Sequence, residues 1–66
     1  MSKPDWNGAP ADAGFWAPDT NDFNEAWYKT DGESWFCVSV DAYRIFGTAW
    51  YGLGRRMLRD DLEARP

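Results

Sequence analysis

The sequence predicts a small α+β domain, with an antiparallel sheet of two or three strands and a C-terminal helical segment packed on one face. Three observations carry this expectation. Twelve of the 66 residues are aromatic, five of them Trp, so the chain holds apolar surface that only a folded core or a partner can cover. Asp31-Gly32 stands between two runs of aromatic and β-branched residues, a strong short-range hairpin signal. Ala42, Phe46, Trp50, Leu53 and Met57 recur at 4-4-3-4 spacing, which is one stripe of a helix.

The elements follow in chain order. Residues 1–13 are rich in Pro, Gly, Asp and Ala and read as an extended arm, with Trp6 as its large apolar anchor. Residues 14–66 form the single small domain. Residues 14–18 are a short extended segment that Pro18 ends or keeps at an edge. Residues 19–24 form a turn, where Asp, Asn and Thr side chains can bond the local backbone.

The hairpin comes next, from residues 23–30 and 33–40. A two-residue loop would set Tyr28 opposite Trp35, Trp27 opposite Phe36 and Ala26 opposite Cys37. Side chains then alternate between two faces. One face carries Phe23, Trp27, Phe36, Val38 and Val40 and is assigned to the core. The other carries Tyr28, Trp35, Ala26 and Cys37; it is covered by the N-terminal arm or binds something.

Asp41 is placed as the N-cap of the helical segment. Gly47, Gly52 and Gly54 weaken that helix. They either bend it near residues 52–54, with a second helical stretch over residues 55–62, or let another backbone approach closely. No internal repeat or low-complexity segment is present.

Charge is unevenly placed within a net −4. Residues 1–41 hold eight acids against Lys3 and Lys29, whereas residues 42–66 hold five Arg against Asp60, Asp61 and Glu63. An acidic front half is a poor match for DNA, whose phosphates call for clustered Lys and Arg. It suits a basic partner surface, or it keeps an aromatic-rich protein dispersed in water.

Catalysis is not expected. The chain has no His and one Cys, Cys37, so neither a nucleophile with its base nor a zinc site can be assembled. No cofactor or metal is expected. Asp60-Asp61 read as a solvated face beside arginines. A single Cys makes no internal disulfide, and the sequence has no signal-peptide or membrane-spanning apolar run, so a cytosolic protein is expected.

Interfaces favour Trp, Tyr and Arg as anchors. Tyr28, Trp35 and Tyr51 are the candidate apolar anchors of a partner site. Arg55, Arg56 and Arg59 are its charged set, gathered on one side of the second helical stretch. Nucleic acid is not an expected partner, because acids in the same turns offset these arginines.

The line Asp5-Trp6-Asn7, Ala9-Pro10, Ala13, Trp16-Ala17-Pro18-Asp19, then Trp27-Tyr28, Trp35 and Arg65-Pro66, resembles a pattern in small Trp-rich accessory and early proteins of tailed bacteriophages. The resemblance covers residues 5–36 and the tail and departs from the pattern after Val40. It implies a phage or prophage origin, the host bacterial cytoplasm, and action by binding a host protein. Such products include inhibitors of host transcription, restriction and CRISPR systems. The expected function is thus a non-enzymatic inhibitor or modulator of a host protein. The alternatives are an acidic nucleic-acid mimic and a small homo-oligomeric structural or virion component.

Overall fold

The computed structural model describes residues 4–55, 57 and 59–66. Its centre is one antiparallel sheet of five strands: β1 (Phe15–Ala17), β2 (Ala26–Thr30), β3 (Trp35–Ser39), β4 (Tyr51–Gly54) and β5 (Glu63–Ala64). They lie in the order β4-β3-β2-β1-β5. A single short helix, α1 (Val40–Phe46), follows β3, and a 3-10 turn, Trp6–Gly8, precedes β1. The architecture is therefore mostly sheet. This corrects the expectation of two or three strands with a C-terminal helical segment.

The helix is short for a local reason. Ser39, not Asp41, caps it, its hydroxyl accepting from the Ala42 amide at 3.1 Å. At the other end Gly47 takes φ +81 and sends its amide back to the Tyr43 carbonyl, which ends the helix. Beyond it the chain does not resume the 3.6 period. Tyr51 and Leu53 alternate with Gly52 and Gly54, a period of two, and form β4 against β3. Among the described residues, 55–62 contain no second helical stretch.

The hairpin forms with a wider loop than expected. Thr30 pairs with Trp35, Tyr28 with Cys37 and Trp27 with Val38, so residues 31–34 all lie in the loop. Side chains drive this: the Asp31 carboxylate accepts from the amides of Glu33 and Ser34 at 2.9 and 2.8 Å, and Thr30 Oγ1 donates to the Ser34 carbonyl. Those amide bonds hold the Asp31 carboxyl below its ordinary range. The slip is two residues, an even number, so every strand side chain keeps its expected face.

One face carries Trp16, Trp27 and Val38 in a cluster with Ala13. Trp6 and Ala9 from the N-terminal segment and Ala42 and Tyr43 from α1 pack on it. The other carries Ala17, Ala26 and Tyr28, with Phe15, Cys37 and Leu53 at its margin. Met57 and Leu62 cover this second face, so the C-terminal segment shields it. Phe23, expected in the core, lies exposed in the β1–β2 loop and receives the Arg59 guanidinium at 5.0 Å from its ring centre.

Candidate functional site

Four of the eight front-half acids, Asp5, Asp19, Glu25 and Asp41, converge at one end of the sheet, where β2 begins and β3 gives way to α1. Glu25 stands just before β2. Its carbonyl accepts from the Val40 amide at 3.0 Å, and its carboxylate accepts from the Trp16 indole at 2.8 Å. Both bonds fix Glu25 at the foot of a cleft of about 550 Å³. The 3-10 turn forms one wall through Asp5 and Gly8, and α1 the other through Tyr43 and Arg44. Trp27 and Val40 form the floor, with Trp6 packed on Trp27 at 5.1 Å between ring centres.

A second cleft of about 220 Å³ adjoins the first and shares Glu25 and Val40 with it. Asp19, Asn24, Ser39 and Asp41 complete its lining. Among the described residues, four carboxylates thus border the pair, against the single cation of Arg44. Arg44 lies 3.6 Å from Asp41 in a solvent-exposed ion pair, which leaves Asp5, Asp19 and Glu25 as the uncompensated acids of the described lining. The one lysine described in the front half is engaged elsewhere: Lys29 bonds Asp12 at 2.9 Å and sits over the Trp50 and Phe36 rings at 4.8 and 5.4 Å. That contact holds the Asp12 carboxyl below its ordinary range.

This arrangement offers carboxylate oxygens and an aromatic floor, which suit a cationic side chain with an apolar stem. Burial pushes the Cys37 thiol up, away from the nucleophilic thiolate, and Cys37 lies on the opposite face from Trp27. Among the described residues, no group of three or more potential ligands could hold a metal ion.

The residues expected from the sequence do not assemble into one site. Tyr28, Trp35 and Tyr51 share the face that bears Cys37. Tyr28 is buried there, and Trp35 is half-buried against Phe15 at 5.5 Å. Tyr51, on β4, is 68% exposed. Arg55 is exposed in the turn after β4. Arg56 lies outside the described residues.

Arg59 is buried, bonded to Asp61 through Nε and Nη2, and donates to the Pro18 and Asn24 carbonyls. It and Arg55 do not share a helical face, because no helix forms there. Reversing the charge of Arg59 would therefore test folding before it tested binding. Asp5, Tyr43 and Arg44 were not singled out from the sequence, since only the tertiary meeting of the 3-10 turn with α1 brings them together. The available signal was the acidic excess of residues 1–41.

No family model matches this chain, and no curated protein or solved structure is similar to it. Among the described residues, no helix is long and apolar enough to cross a membrane.

Proposed function

We propose that this protein is a non-enzymatic, phage-encoded binding module that modulates a host protein, and that it meets a basic surface of that protein with the acidic end of its sheet. The observation that carries this reading is the convergence of Asp5, Asp19, Glu25 and Asp41 on two adjoining clefts, with Arg44 as their only cation among the described residues. The resemblance of the Trp-x-x-Ala-Pro, Trp-Tyr and Arg-Pro line to small tailed-phage proteins suggests the biological setting. An acidic array on a fixed scaffold attracts a basic groove at long range, with strong salt dependence. The same array favours nucleic-acid mimicry as the second reading, because closely spaced carboxylates resemble a phosphate track.

The test is capture from nuclease-treated bacterial lysate by tagged wild-type protein and by an Asp19→Lys, Asp41→Lys variant. Both positions are exposed. The helix loses at most about 1 kcal/mol from the change at its first turn. The expected result is one stoichiometric host protein on the wild type, released by a few-fold rise in salt and absent from the variant. Equal capture by both proteins would exclude the acidic end. Competition by DNA or RNA for the captured protein would select mimicry.

A further inference from the structure

The larger cleft holds its two carboxylates by one oxygen each. Asp5 Oδ1 accepts from the Asn7 amide at 3.2 Å, and Glu25 Oε2 accepts from the Trp16 indole at 2.8 Å. These bonds fix both groups and leave Asp5 Oδ2 and Glu25 Oε1 without a donor among the described residues. Arg44 lines the same cleft but pairs with Asp41. The floor residue Trp27 is 3% exposed, and its buried indole N–H meets no acceptor among the described residues. A buried donor in that state is costly, so it marks a place for an oxygen acceptor.

We propose that this cleft receives one arginine residue of the partner's basic surface, its guanidinium between Asp5 and Glu25, its stem along Trp27, and its main-chain carbonyl accepting from the Trp27 indole. The inference rests on the acidic-end reading of the function and names the group that enters there. A guanidinium presents five donors in one plane and can bond carboxylates carried by two separate segments; an ammonium is a compact point charge that does this less well. The apolar stem suits an aromatic floor. The volume of about 550 Å³ lies within the roughly 300–1,000 Å³ of clefts that take small ligands.

The protein holds its own arginines in the same manner, with oxygen acceptors beside an aromatic ring. Arg59 bonds Asp61 and two carbonyls with its guanidinium 5.0 Å from the Phe23 ring centre. Arg65 bonds the Pro10 and Ala13 carbonyls with its guanidinium 5.2 Å from that of Trp6. Gly8 keeps the cleft wall thin. A Cβ there would stand 3.4 Å from Asp5 Oδ2, the oxygen assigned to the guanidinium.

The probe is N-acetyl-arginine N-methylamide, followed through the indole N–H signals of Trp16 and Trp27 by NMR. Both signals should move and saturate, with a dissociation constant on the order of 1 mM. The Trp27 proton should move downfield as it gains an acceptor. The citrulline analogue, of the same shape but neutral, should bind at least about tenfold more weakly, and the lysine analogue several-fold more weakly. Glu25→Gln keeps an oxygen for the Trp16 indole and should weaken binding about tenfold without changing the melting temperature. Asp5→Asn at an exposed position, and Gly8→Ala, whose φ is not positive, should each weaken it a few-fold in a folded protein.

No saturable shift up to about 50 mM probe overturns the proposal. So does citrulline or lysine binding as well as arginine, or wild-type binding by a folded Glu25→Gln variant. Should Glu25→Gln melt early, wild-type binding by both Asp5→Asn and Gly8→Ala overturns it instead. The lysate capture is a separate measurement. Probe binding as expected with no captured host protein keeps the arginine cleft and removes the host-protein reading. Capture lost in the Asp19→Lys, Asp41→Lys variant but unchanged in folded Glu25→Gln keeps the acidic end and overturns the arginine cleft.

Discussion

The Arg59 guanidinium makes two bonds to the Asp61 carboxylate and one each to the carbonyls of Pro18 and Asn24, at 2.6 to 3.2 Å. It fastens the C-terminal segment to the β1–β2 loop from a buried position. Arg59→Ala should cost about 2–3 kcal/mol in urea unfolding, since two carbonyls lose their donor while the half-exposed Asp61 can rehydrate. Arg59→Lys should recover only part, because an ammonium cannot reproduce the planar fork. The same contact sets a pH dependence. The Arg59 bond holds the Asp61 carboxyl below its ordinary range. A depressed carboxylate stabilises the fold above its unfolded value of about 4, and this contribution is lost as pH falls through the depressed value. Melting temperature should drop below about pH 4, and Asp61→Asn should flatten that slope. From the sequence Arg59 reads as an exposed helical cation. The side chain is the same in either setting, and only its tertiary contacts with Pro18, Asn24 and Asp61 reveal it as buried.

Helix α1 is a single short element held at both ends by named residues. Ser39→Ala removes the acceptor for the Ala42 amide and should cost about 1 kcal/mol. Gly47→Ala forces a side chain into positive φ and should cost about 1–2 kcal/mol. For a domain of this size each kcal/mol lowers the melting temperature by about 4–8 °C, which calorimetry would read. The stripe from Ala42 to Met57 is legible as a helix because its apolar spacing fits 3.6 residues. Only Ala42 and Phe46 of that stripe lie in the helix; Leu53 belongs to a strand, where with Tyr51 it satisfies a period of two, and Trp50 and Met57 lie in neither. Gly47 decides between them by stopping the helix. At the hairpin, Asp31-Gly32 marks the turn correctly but not its width. The side-chain bonds of Thr30 and Asp31 set that width, and alternation kept the faces intact. The parts of the site on α1 and the 3-10 turn carry no local motif, so their approach is legible only in three dimensions.

Across the whole molecule, the two faces of the sheet are closed by opposite ends of the chain. The N-terminal segment and α1 cover Trp16 and Trp27, while Met57 and Leu62 cover Ala17, Ala26 and Tyr28. Arg65 joins the two ends. Its Nη1 donates to the Pro10, Ala11 and Ala13 carbonyls, its Nη2 reaches the Trp6 carbonyl at 3.5 Å, and its guanidinium lies 5.2 Å from the Trp6 ring centre. Arg65→Ala should lower stability by about 1–2 kcal/mol and speed exchange of the Gly14 and Arg65 amides, a pattern that hydrogen-exchange mass spectrometry resolves by segment. The fold class was only partly readable because three of the five strands are four residues or shorter, and two of these, β4 and β5, come from segments with helical or loop-like composition. The strand order has a consequence for synthesis. A growing chain delivers β1, β2, β3 and β4 in the order of their neighbours, so that meander can pair as it emerges. The outer partner of β1 is β5, almost fifty residues later in the chain. Until those residues leave the ribosome, β1 is an open edge and the Tyr28 face is uncovered. The β1–β5 seam therefore closes the longest loop of the sheet, and its pairing is expected to form last in folding.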